Sequence, residues 1–200
     1  MGVLIDAGPL LNFLAIGQEN ILIQLAKTSG HQLAVCERIV TEVQGMTRDP
    51  RFERTAVATK LPQLTDAGHI AVLSDDIEDN AEFRCQIALV TGMPAEERLQ
   101  NKKSLGEILL IAHACTLVLQ GEEVVLLIDE GDGRARANQA KARMQAAGAP
   151  GVLRVANTKL VMQKAAENPD WIKKGSSAQQ VYDSMRAFDD GWEPAQFVVV

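Results

Sequence analysis

The stretch Val124-Val125-Leu126-Leu127-Ile128-Asp129 sets five apolar residues in a row and then a charge. A strand with one wet face alternates apolar and polar side chains. An unbroken apolar run of this length belongs to a strand covered on both faces, as in the middle of a parallel sheet. The neighbouring segments agree. Residues 105–120 are apolar almost all round, which predicts a deeply buried helix with Gly121 as its stop. On the other side, 132–147 reads as a helix ended by Gly148, 152–155 as a last core strand and 157–167 as a last core helix.

The same alternation runs back to the N-terminus. Val3 to Ile5 reads as a strand feeding a helix that opens at Pro9 and sets Leu10, Leu11, Phe13, Leu14 and Ile16 on one side. A helix over 20–27, a strand over 32–35, a helix around 38–44, helical segments near 49–60, a strand over 69–73 and a helix over 80–91 follow. Gly92-Met93-Pro94 reads as a loop, and the polar stretch to Lys103 as mobile. Strands alternating with helices predict an α/β three-layer sandwich with a mainly parallel central sheet flanked by helices. Residues 1–167 read as one domain. Residues 168–200 read as a C-terminal helical extension packing on the core or on a partner, with a Lys-Lys-Gly-Ser-Ser linker, one helix over 178–188 and the apolar end Phe197 to Val200.

The chain has 200 residues, 46% hydrophobic and 23% charged, which is globular composition and excludes wholesale disorder. No basic leader opens the sequence, and no apolar run approaches the roughly eighteen residues of a membrane span. We therefore expect a cytoplasmic protein with no membrane partner. Cys36, Cys85 and Cys115 are an odd number at wide spacing, which suits reduced core thiols rather than a disulfide frame or a zinc site. The net charge of −6 argues against bulk coating of nucleic acid, but the charge is uneven. Between Arg134 and Lys174 nine bases face two acids, a balance of +7, whereas between Gln63 and Glu130 thirteen acids face four bases. A basic segment folded onto one face can contact phosphates, or it can simply be a solvated surface of mixed helices.

In an open parallel sheet, ligands bind outside the carboxyl ends of the strands. Four acids fall where such a site forms: Asp6 ends the first strand, Glu42 lies on the helix after the second, Glu107 opens the buried helix and Asp129 ends the VVLLI strand. Carboxylates held together repel one another unless a cation neutralises them, and hard oxygen ligands select magnesium or manganese. Asp132 is placed to serve the ion's outer water shell or a second ion. Each acid also has a structural reading. Asp6 favours a helix N-terminus. Glu42 is a solvent-facing helical glutamate, Glu107 closes a capping box on Ser104, and Asp132 is an N-cap. Asp129 has few structural uses. The chain lacks a phosphate-binding GxxxxGK loop, a GxGxxG fingerprint, a GxSxG elbow and an HExxH pair, and its histidines are scattered.

At VLIDAGPLLNFL, IVTEVQG, SLGEILLIAHA and VVLLIDEGDGRARANQA, in that order, the chain resembles the PIN-domain family of metal-dependent ribonucleases. The resemblance covers residues 1 to about 167 and implies a PIN-like nuclease domain. It puts the family's acidic quartet on Asp6, Glu42, Glu107 and Asp129, with Asp132 as an auxiliary acid and one or two magnesium or manganese ions bound among Asp6, Glu107, Asp129 and Asp132. It implies hydrolysis of single-stranded RNA as an endoribonuclease, often as the toxin of a toxin–antitoxin pair with an antitoxin protein as partner. A homodimer is expected separately, with the apolar tail Phe197 to Val200 there to serve it or to complete the core. Arg134 and Arg136 are the residues expected to position the strand. Gly8 and Leu127 stand where many members carry a hydroxyl or amide, and Glu107 replaces the commoner Asp. The alternative is a non-catalytic PIN-like interaction module that keeps the fold.

Overall fold

The computed structural model describes residues 2–188 and 194–197. Five strands, β1 (Gly2–Ile5), β2 (Gln32–Cys36), β3 (Ile70–Leu73), β4 (Glu123–Leu127) and β5 (Val152–Ala156), form one sheet in the order β3-β2-β1-β4-β5. Every pairing is parallel, so the mainly parallel sheet expected from the sequence is wholly so. The helices among the described residues are α1 (Ala7–Ala15), α2 (Glu19–Thr28), α3 (Glu37–Met46), α4 (Val57–Asp66), α5 (Ala81–Thr91), α6 (Ala95–Gln100), α7 (Leu105–Leu119), α8 (Gly131–Ala146), α9 (Thr158–Glu167) and α10 (Ala178–Arg186). They cover both faces and complete a three-layer α/β sandwich.

The strand order has one functional consequence. From β1 the chain steps outward through β2 to β3, then returns to the other side of β1 with β4. The loops after β1 and β4 leave in opposite directions and open a crevice between them. Leu4 pairs with Ala34 and Leu126, and Ile5 with Leu127. The Asp6 amide extends this ladder by donating to the Leu127 carbonyl at 3.0 Å. Asp6 and Asp129 therefore leave adjacent strands at the same edge of the sheet.

Leu4, Ile5, Leu126, Leu127 and Ile128 are fully buried, as is nearly all of α7, from Leu105 to Thr116. Each such aliphatic side chain contributes about 2 kcal/mol of transfer free energy, so α7 is fixed along its length and its first turn is a rigid platform. Gly121 ends the helix region at φ 88°, a left-handed conformation that suits glycine.

Several elements differ from the sequence expectation. Residues 47–56 are turns, not helix: the Asp49 carboxylate accepts the Arg51 amide at 2.9 Å and turns the chain across Pro50. The helix instead starts at Val57 and runs through Pro62, because burial of Val57 and Leu61 outweighs the one amide that proline lacks. The polar stretch after Pro94 holds α6, where buried Arg98 donates to the carbonyls of Asn101 and Lys103. β5, expected as a core strand, is a sheet edge with Val152 exposed.

The extension packs on the core. Asn20 Nδ2 donates to the Trp171 carbonyl at 2.9 Å, and the Lys173 amide donates to Gln18 Oε1 at 3.0 Å. A Ser177–Gln180 capping box starts α10, which buries Val181, Tyr182 and Met185. Phe188 stacks on Phe52 and Phe197 meets Tyr182 edge-on, whereas Val198 to Val200 lie outside the described residues. All three cysteines are free thiols. Cys36 and Cys115 are buried as expected, but Cys85 is exposed on α5. No helix among the described residues is long and apolar enough to cross a membrane.

Candidate functional site

The crevice at the carboxyl ends of β1 and β4 is an open cleft of about 500 Å³ whose walls include Asp6, Glu42, Glu107 and Asp129. Four segments separated by as many as 123 positions in the chain thus contribute acids to one cavity. Its lining also includes Glu130, which the sequence reading passed over, and no basic residue among the described ones. Asp132 is exposed in the first turn of α8, outside that lining. The N-cap position that it was a candidate for belongs to Glu130.

Asp6 stands at the N-cap position of α1, as the helix-terminus reading has it, with the Ala7 amide favouring its ionised form but no side-chain capping hydrogen bond deeper into the helix. Burial is the main force on its carboxyl. The Ala7 amide opposes it, Glu107, Glu42 and Glu130 add repulsion, and the result is a pKa pushed up to about 7. Glu107 is pushed up as well, chiefly by burial, with Glu130 and Asp132 adding to it and Arg136 pulling it down. The capping box is absent: the Ser104 side chain caps nothing, and Glu107 Oε1 accepts from Arg136 Nη1 at 2.6 Å.

The other two acids are also held. Glu42 Oε1 accepts from Arg38 Nε at 2.9 Å, one turn earlier on α3. Asp129 accepts the Thr158 amide at 2.7 Å and the Thr158 hydroxyl at 2.6 Å, tying the end of β4 to the start of α9. As the side chains stand, no three carboxylate, imidazole or thiol groups among the described residues are gathered closely enough to share one metal ion. The donor chemistry nevertheless fits a hard divalent cation: five carboxylates line one cleft with no cation among its lining groups.

Two glycines shape the site. A Cβ on Gly106 would lie 2.6 Å from Glu42 Oε2, and one on Gly133 would lie 2.2 Å from Glu107 Oε2. Each carboxylate rests against helix backbone that only glycine leaves open. The sequence signal was available: a glycine in a helix's first turns costs stability and implies a packing reason. Gly8, by contrast, has nothing within 4 Å of an added Cβ, so the cleft has room there for a larger residue. Ser104, on the cleft wall, holds φ 51°, left-handed backbone that a non-glycine residue adopts at a cost. Arg134 is exposed on α8, and Arg136 reaches back to Glu107.

Compared with protein-family models, curated proteins and solved structures, the chain gives no match.

Proposed function

We propose that the chain is a PIN-type endoribonuclease that uses magnesium or manganese to hydrolyse phosphodiester bonds in single-stranded RNA. One observation supports this above the others: acids chosen from four separate motifs line a single cleft at the switch point of a parallel sheet. Asp6, Glu107 and Asp129 are the residues that would hold the ion, with Glu42 and Glu130 adding negative charge. When bound, the ion supplies charge neutralisation and Lewis-acid activation of water for attack on phosphorus. The chain's own residues do the rest. The apolar tips of β1 and β4 fix Asp6 and Asp129 in direction, Gly106 and Gly133 admit the two glutamates, and Arg136 offers donors toward an approaching phosphate.

Purified protein with manganese is expected to cut single-stranded RNA, and Asp6→Asn and Asp129→Asn to lose at least about a hundredfold in rate, the scale of removing one electrostatic contact to a transition state. Equal cutting by wild type and both variants would assign the activity to a contaminant. A second reading, a non-catalytic interaction module, is favoured by the bonding of Glu42, Glu107 and Asp129 to Arg38, Arg136 and Thr158. Absence of manganese binding at millimolar concentration would select it.

A further inference from the structure

Ser104 is shared by two cavities of opposite character. On one side is the acidic cleft. On the other is a pocket of about 280 Å³ whose lining includes Arg98, Lys103 and Arg136, with no acid among its described lining residues. Its remaining walls mix apolar side chains, Val90, Met93 and Ile108, with the polar groups of Thr91 and Asn101. Two guanidiniums are held close here. Arg98 is buried, and its pKa is lowered chiefly by desolvation and next by repulsion from Arg136, with Glu107 pulling the other way. Arg98 is pinned by the carbonyls of Asn101 and Lys103, so it cannot swing away to relieve that repulsion. Arg136 is paired with Glu107, whereas Arg98 and Lys103 have no carboxylate within ion-pair distance among the described residues. An anion in the pocket would supply their counter-charge.

We infer that this pocket holds a nucleotide unit of a single-stranded RNA next to the one presented to the acidic cleft. The phosphate lies against Lys103 and the outer donors of Arg98 and Arg136, and the base lies against Met93, Val90 and Ile108. This rests on the nuclease reading for its substrate class, but its observations are separate. The pocket's size suits one nucleotide, and its apolar wall suits the face of a base, a contact that tolerates any sequence. Ser104 stands on the wall between the two compartments with a side chain that caps nothing, so its hydroxyl is free to donate to the linking phosphate. The left-handed backbone at Ser104 is the strain that sets this wall.

The test uses the full chain in a metal chelator, so that binding is read without cleavage. Calorimetry compares a nucleoside 5′-monophosphate, the bare nucleoside and inorganic phosphate. Fluorescence anisotropy with a short labelled single-stranded RNA over a salt series compares wild type, Lys103→Ala and Lys27→Ala. The expected result is that the monophosphate binds more tightly than phosphate and the nucleoside gives no signal. Lys103→Ala weakens RNA binding roughly tenfold and lowers the salt slope by about 0.7, one phosphate contact on a single strand. Lys27→Ala, at an exposed lysine on α2 that lines neither cavity, keeps its binding and its slope. Equal affinity for phosphate and the monophosphate overturns the nucleotide assignment, and an unchanged slope in Lys103→Ala overturns the pocket. If the monophosphate binds as expected while manganese and wild type cut no RNA, the nuclease reading fails and the pocket stands.

Discussion

Asp6 and Asp75 both follow strands of the same sheet, β1 and β3, and the fold treats them in opposite ways. Asp75 Oδ2 accepts the Arg38 amide at 2.6 Å, and its Oδ1 meets His113 Nε2 at 2.9 Å. The imidazole in turn stacks on Phe83 with ring centroids 3.9 Å apart. Asp6 has the Ala7 amide on its carboxyl, but burial outweighs that bond and three neighbouring acids add to the push on its proton affinity. A carboxylate that the fold serves on both oxygens is a structural fastener. One left desolvated among like charges is a cost that a bound cation would remove.

Breaking the fastener should have the largest effect. Asp75→Ala strands a buried imidazole and a helix amide, and should destabilise the protein by about 3 kcal/mol, read as a lower midpoint in urea. Asp6→Asn should do the reverse. Because the folded pKa lies above the ordinary value, the folded state holds the proton more tightly, and metal-free wild type loses stability as pH rises from about 4 to about 7. Asp6→Asn should therefore match wild type at pH 4 and gain about 2 kcal/mol at pH 8, a figure that allows for screening in the open cleft. Thermal melts across that range check the sign, and a gain that grows toward acid pH would contradict it. The smallest contrast is between two glycines of one site. Gly133→Ala should cost about 1 kcal/mol, because displacing Glu107 exceeds the gain in helix propensity, while Gly8→Ala should be neutral or slightly stabilising.

Much of this was legible in the sequence because it is local. Apolar runs and their stops located the strands and the buried α7, and a charge directly after VVLLI marked Asp129 as unusual. What was not legible depends on approach in space. Nothing near Glu107 in sequence announces Arg136, and nothing near Asp129 announces Thr158, since both partners come from other elements. Ser104-Leu105-Gly106-Glu107 satisfies a capping-box pattern, yet the buried Glu107 turns to an arginine across the α7–α8 contact. Charge counting along the chain reached only part of the basic pocket. Arg136 belongs to the basic segment it singled out, whereas Arg98 and Lys103 come from the acid-rich segment. Their place beside Arg136 is visible only once α6 forms and Arg98 is pinned.

The central claim is that the acids around Asp6 are a divalent-cation site, and manganese titration by calorimetry at pH 8 tests it most directly. Wild type should show saturable binding that Asp6→Asn abolishes while its fold stays intact. Binding of equal strength in Asp6→Asn, or none in wild type, would contradict the account.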